Sequence, residues 1–177
     1  MRPQRIEPKP GQESVWDYPR PPALQRVAAE VVIEFGGREI ARTSEAYRVL
    51  ETSHPPVYYL PPTAFAEGVL RPAGGGSFCE WKGQATYFDL VVGDAGEEGD
   101  AGEGASKHTA SQVAWAYPKP TAAFAPIAGF VAVYAGPMDR CTVGGVEVTP
   151  QPGGFYGGWI TPDIVGPFKG GPGSWGW

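Results

Sequence analysis

Val27-Ala28-Ala29-Glu30-Val31-Val32-Ile33-Glu34-Phe35, followed by Gly36-Gly37 and Arg38-Glu39-Ile40-Ala41, carries the decisive pattern of this chain. Val27, Ala29, Val31, Ile33 and Phe35 alternate with Ala28, Glu30, Val32 and Glu34, the period of two expected of a half-buried strand. Gly36-Gly37 supplies the positive φ values of a two-residue hairpin turn, so Arg38 to Ala41 is predicted to fold back antiparallel. The same reading extends along the chain. Gln84 to Val92 sets Thr86, Phe88, Leu90 and Val92 against Ala85, Tyr87, Asp89 and Val91; Gln112 to Tyr117 and Gly129 to Ala135 are further strands. Val143-Gly144-Gly145-Val146 is a second hairpin signature. The fold class is therefore mainly β, a compact antiparallel domain.

Composition supports one such domain. A chain of 177 residues can bury a core without disulfide or metal. Glycine (26) and proline (20) are abundant, but six Trp, eight Tyr and eight Phe carry the apolar area needed to offset the ordering entropy. The glycines and prolines then read as turn chemistry among short strands. The formal charge of −5 is matched by the five acids Asp94, Glu97, Glu98, Asp100 and Glu103, so the rest of the chain is near neutral. That balance disfavours nucleic acid and membrane surfaces as partners. No apolar run approaches a membrane span and Met1 to Pro10 has no signal-peptide core, so a cytoplasmic location is expected. Cys79 and Cys141 are expected as free thiols.

Between the strands the reading is more local. Residues 1–13 lack periodicity and are expected to form a flexible tail before a single domain at 14–177. Ser14 to Pro22, with three prolines, is predicted as an extended arm pinned by Trp16 and Tyr18. Ser44 is a plausible N-cap for a short helix over Glu45 to Leu50. His54-Pro55-Pro56 ends it, Val57 to Leu60 is a short strand, and Pro61-Pro62-Thr63 can open a helical turn reaching Val69-Leu70. Gly74-Gly75-Gly76 is expected as a flexible loop. The acidic, Gly-rich insertion at 93–107 is expected as a solvated excursion interrupting a hairpin. Gln151 to Trp177, with Gly, Pro and aromatics but no period, is expected to wrap around the domain.

Three groups of residues could carry chemistry. Cys79-Glu80-Trp81-Lys82-Gly83 places a thiol three residues from an ammonium, which can hold it as a thiolate; a buried thiol beside a turn glycine is the alternative. Tyr58, Tyr59, Trp81, Tyr87, Trp115 and Tyr117 could line an aromatic recess for a planar or cationic ligand, or make the core. Arg20, Lys82 and Lys169 could meet an anionic ligand at its edge. The glycine-rich segments at 153–159 and 169–173 lack the strand before and helix after that a phosphate loop requires. His54, His108 and Asp163 have no metal-ligand spacing, so no metal or other cofactor is expected. Asp17, Asp89 and Asp163 are carboxylates that spacing does not pair.

Five ordered motifs carry a resemblance: Val15 to Pro22 (VWDYPRPP), Leu50 to Pro62 (LETSHPPVYYLPP), Cys79 to Gly83, Trp115-Ala116-Tyr117-Pro118, and Gly157 to Thr161 with Gly166 to Gly170. Together they make residues 14–177 resemble the bacterial family known as domain of unknown function 427. The resemblance implies a compact antiparallel β domain, related to the tent-like folds of zinc-binding regulatory and sulfoxide-reductase domains. Those relatives hold zinc with paired cysteines, which are absent here. A nucleotidyltransferase label also attaches to the family, but the paired acids and Gly-Ser loop of metal-dependent nucleotidyl transfer are missing. The function expected first is small-molecule binding, of a planar or anionic metabolite, by Tyr58, Tyr59, Trp81, Trp115 and Tyr117 with Arg20, Lys82 or Lys169. An enzyme using Cys79 with Lys82, and a structural or partner-binding protein, are the alternatives.

Overall fold

The computed structural model describes residues 3–93 and 108–177. The chain begins with β1 (Glu13–Ser14) and a single 3-10 turn at Val15–Asp17, capped by the Ser14 hydroxyl, which accepts from Trp16 N. β2 (Ala23–Val27), β3 (Val31–Phe35), β4 (Arg38–Thr43), β5 (Ala46–Leu50) and β6 (Val57–Tyr59) follow. After a 3-10 turn at Pro62–Ala64 come the long strands β7 (Leu70–Cys79), β8 (Gly83–Val92) and β9 (His108–Ala116). A 3-10 segment at Ala122–Ile127 leads to β10 (Val131–Val133), β11 (Arg140–Val143), β12 (Val146–Glu147), β13 (Thr149–Pro150), β14 (Trp159–Ile160) and β15 (Ile164–Val165). No helix of the described residues is long and apolar enough to cross a membrane.

Two four-stranded sheets, β10-β9-β8-β7 and β12-β11-β3-β4, and a three-stranded sheet, β2-β5-β6, make up the body. All ladders in these sheets are antiparallel. The alternating stretch places Val31, Ile33 and Phe35 in the core, with Val32 and Glu34 on the other face. Gly36 and Gly37, at φ 62° and 78°, make the expected tight turn into β4. The strand expected over residues 27–35 is split, however. Val27 ends β2 in one sheet and Val31 begins β3 in another, so the chain changes sheets across Ala28-Ala29-Glu30. Alternation continues across such a crossing and does not reveal it.

Three local expectations are corrected. The helix expected over 45–50 is strand β5, the centre of its sheet, paired with both β2 and β6. Its buried residues Ala46 and Val49 lie three apart, which imitates a helical face, but Tyr47 and Val49 suit a strand and ladder hydrogen bonds on both sides decide the outcome. The turn after Pro61 stops at Ala64, and Leu70 already belongs to β7. Gly74-Gly75-Gly76 is no loop but the irregular middle of β7, where register shifts between Pro72↔Phe88 and Gly76↔Thr86. A Cβ on Gly76 would stand 2.9 Å from the Ala85 carbonyl oxygen, so glycine lets the backbones close up again after the shift.

The arm and the C-terminal stretch hold each other. β1 pairs in parallel with β15, the Trp16 indole N–H donates to the Pro167 carbonyl at 2.9 Å, and Tyr18 is buried. Within the wrap, Trp159 stacks on Tyr58 at 5.1 Å and donates through Nε1 to the Val133 carbonyl, reaching the centre of the core. β8 and β9 pair up to Val92↔His108, the described residues on either side of the acidic insertion. From residue 94 to 107 it lies outside the described residues.

Candidate functional site

A cavity of about 450 Å³ lies where the β7–β8 hairpin, the β5–β6 connection, β9 and the C-terminal wrap meet. Its hairpin side is set by a three-residue turn, Glu80-Trp81-Lys82, between the paired Cys79 and Gly83. That turn is fastened to Thr121, whose hydroxyl donates to the Trp81 carbonyl (2.6 Å) and whose N–H donates to the Lys82 carbonyl (3.1 Å). Across the hairpin, Ser77 Oγ and the Tyr87 hydroxyl share a 2.8 Å hydrogen bond. Trp115, on β9, tilts against Tyr134 with ring centroids 4.6 Å apart. The wrap brings Phe155, Tyr156 and Gly157, held by a hydrogen bond from the Tyr134 hydroxyl to the Phe155 carbonyl. Phe78 and Phe155 line the cavity and remain exposed at 74% and 69%, which marks where it opens to solvent.

Of the residues named from sequence, Tyr59, Cys79, Trp81, Lys82, Tyr87, Trp115 and Tyr117 converge on this cavity. Tyr58, Arg20 and Lys169 are not on its wall. Tyr58 and Tyr59 are neighbours on β6, so only one can face the cavity; Tyr59 does, and Tyr58 goes to Trp159 in the core. Arg20 is exposed and donates to the Thr52 carbonyl at 3.1 Å, with Glu51 at 3.6 Å. Lys169 places its ammonium on the Trp177 carbonyl (3.1 Å) and over the Tyr156 ring.

Lys82 is directed at the rings. Its Nζ stands 5.6 Å from the Tyr117 centroid and 5.9 Å from that of Phe124, a cation–π placement. Burial pushes the Tyr117 phenol well above its ordinary range, and the neighbouring Cys79 thiol adds to the effect, so the hydroxyl stays protonated. Burial does the same to Tyr59. Both phenols therefore serve the cavity as donors or acceptors and not as charges.

Sequence reasoning missed the polar corner. Glu51, His54 and Gln151 line the same cavity, although spacing along the chain shows His54 no ligand partner. Gln151 has its orientation determined twice: Oε1 accepts from Gly158 N at 3.0 Å, and Nε2 donates to the Lys169 carbonyl at 2.8 Å. The same amide nitrogen faces His54 Nδ1 at 3.2 Å, which makes Nδ1 the acceptor and puts the ring proton on Nε2. Nε2 stands 3.1 Å from Glu51 Oε2. Burial alone would raise the Glu51 carboxyl. The His54 imidazole first, and then the charges of Lys82 and Arg20, outweigh burial and hold it below the usual carboxylate range. The one local signal was the spacing of Glu51 and His54, i to i+3, around Ser53, which adopts φ 71° and closes the turn. Gln151, 97 residues from His54, gave none.

Among the described residues, no three His, Cys, Asp or Glu side chains gather as a metal would require. The cavity can stack flat rings and offer two carboxylates, Glu51 and Glu80, and one ammonium, Lys82. No curated protein matches the chain. A family model described as a domain of unknown function (DUF427) matches residues 23–144, from β2 through β11 and just past it, taking in every cavity wall except that of the C-terminal wrap. That match spans more than half of the chain, and the protein belongs to the DUF427 family.

Proposed function

We propose that this protein binds a small planar organic molecule in the aromatic cavity. The observation that carries this reading is the convergence of Tyr59, Trp81, Tyr87, Trp115 and Tyr117 on one open cavity of about 450 Å³, within the size of small-molecule sites. Aromatics that served only as core would close on one another, whereas Trp81 and Tyr87 are half-buried beside open space. The cations expected to recruit an anion are engaged elsewhere: Arg20 with Glu51 and Thr52, Lys169 with Trp177, Lys82 with two ring faces. Planarity, more than negative charge, is what the site selects.

Ser77 is exposed on the cavity wall, so Ser77→Trp fills the space with little demand on the fold. The test is mass analysis of small molecules released from the protein purified from its native host. A compound retained by the unaltered protein and absent from Ser77→Trp is the expected result; equal retention by both would place the ligand elsewhere and defeat the proposal.

A second reading is favoured by one placement: Cys79 lines the same cavity as Tyr117, close enough to raise that phenol. A thiol there could act on a bound ligand, with Tyr117 as proton donor. Turnover of the retained compound that survives Cys79→Ala would eliminate it.

A further inference from the structure

The polar corner gives the cavity a charge preference. Glu51 is engaged through one oxygen only: Oε2 stands 3.1 Å from His54 Nε2 and is the atom that Arg20 approaches from outside. Among the described residues, Oε1 has no hydrogen-bond donor. The imidazole cannot turn away, because Gln151 occupies Nδ1, and Gln151 is itself pinned by Gly158 and Lys169. With Nδ1 held by Gln151, His54 keeps Nε2 beside the carboxylate. Lys82, the cation on the same wall, lies over the Tyr117 and Phe124 rings, and its charge also reaches Glu51.

We propose that the cavity is selective for a planar organic cation carrying N–H donors, an amidinium, guanidinium or protonated N-heterocycle, whose ring lies among the aromatic side chains and whose N–H donates to Glu51 Oε1. This rests on the reading of the cavity as a small-molecule site. Aromatic faces attract cations, and a carboxylate at the end of an aromatic slot distinguishes them from neutral isosteres. An anion of the same shape would meet Glu51 with like charge.

Three probes of one shape separate the possibilities: benzamidine, benzamide and benzoate, titrated by ligand-observed NMR into the full chain, Glu51→Gln and Ser77→Trp. The expected order is benzamidine over benzamide by about tenfold, the lower end for a hydrogen bond gaining full charge, with benzoate weakest. Glu51→Gln should bring benzamidine and benzamide to within about threefold of one another, and Ser77→Trp should abolish binding of both. Benzamide or benzoate binding the unaltered protein as tightly as benzamidine overturns the charge preference while leaving the cavity reading intact. A preference that survives Glu51→Gln overturns it equally. Failure of all three probes to bind, or binding untouched by Ser77→Trp, overturns the cavity reading and the inference with it. The order of the three probes on the unaltered protein is decisive even if a variant folds poorly.

Discussion

Gly157 sits against the floor of the cavity, and replacing it tests how tightly that floor is packed. A Cβ at this position would stand 2.1 Å from Trp115 Cη2, 2.9 Å from Cζ2 and 3.2 Å from Cζ3. Carbon atoms pack at about 3.5–4.0 Å, so in Gly157→Ala the indole has to withdraw by about 1.5 Å. Trp115 is only 9% exposed and already leans on Tyr134, so the displaced ring can move only into the cavity or against that tyrosine. Overpacking of this kind costs about 1–3 kcal/mol. Gly157 is not at a positive φ, so alanine also removes unfolded-chain freedom, a gain of about 0.4–1 kcal/mol. The expected net loss is about 1–2 kcal/mol, which in a domain of this length lowers the melting temperature by about 2–8 °C. Gly136→Ala is the control: nothing lies within 4 Å of its Cβ and its φ is not positive, so it should melt at or slightly above the unaltered protein. Thermal melts of the two variants, with tryptophan emission reporting the moved indole, are the assay. Gly157→Ala melting with the control and showing unchanged emission would refute the close contact and the cavity floor built on it.

Three further outcomes follow from named contacts. Gln151→Leu strands the Gly158 N–H, the Lys169 carbonyl and His54 Nδ1 together, and should lower stability by about 2–4 kcal/mol in urea titration. A loss under about 0.5 kcal/mol would mean that this amide does not organise the polar corner. In the folded protein at pH 8, iodoacetamide should modify Cys79 on the cavity wall and spare Cys141, which is 2% exposed; peptide mass mapping reads the pattern, and equal labelling contradicts it. Burial pushes the Cys141 thiol up to about 12 from an ordinary 9.0. The folded state therefore keeps a proton that the unfolded chain releases, its contribution is complete below pH 9, and stability falls as pH rises from 9 toward 12. The raised Tyr59 and Tyr117 phenols act in the same direction. Urea midpoints at pH 8.5 and 10.5 should drop less in Cys141→Ala than in the unaltered chain; an equal drop assigns the whole effect to the tyrosines.

The β class and most strands were legible from the residues because alternation is a local consequence of the pleat: each side chain's face follows from its parity. Val31, Ile33 and Phe35 in β3, the Gly36-Gly37 turn, and the Val143 to Val146 hairpin came from such short-range chemistry. β5 was misread because its pattern is satisfied equally by a helix, and only its two neighbours on either side settle the matter. Part of the cavity was also visible. Tyr59, Cys79, Trp81, Lys82, Tyr87, Trp115 and Tyr117 are of types that line sites, and the hairpin places several of them near one another.

What residues alone determined, then, is a β-rich chain with turns at set places and a stock of aromatic side chains. What only the tertiary structure decided is which of those rings face open space and which close the core. Parity sent Tyr59 to the cavity and its neighbour Tyr58 to Trp159, but which parity faced outward depended on how β6 docks against β5 and β10. The Glu51–His54–Gln151 corner lies wholly on that side of the line. Its members are 97 residues apart at the farthest junction, between His54 and Gln151. They meet because the C-terminal wrap is anchored on Trp159 and on the ladder between β1 and β15, and a hydrogen bond formed that way leaves no periodic trace in the chain.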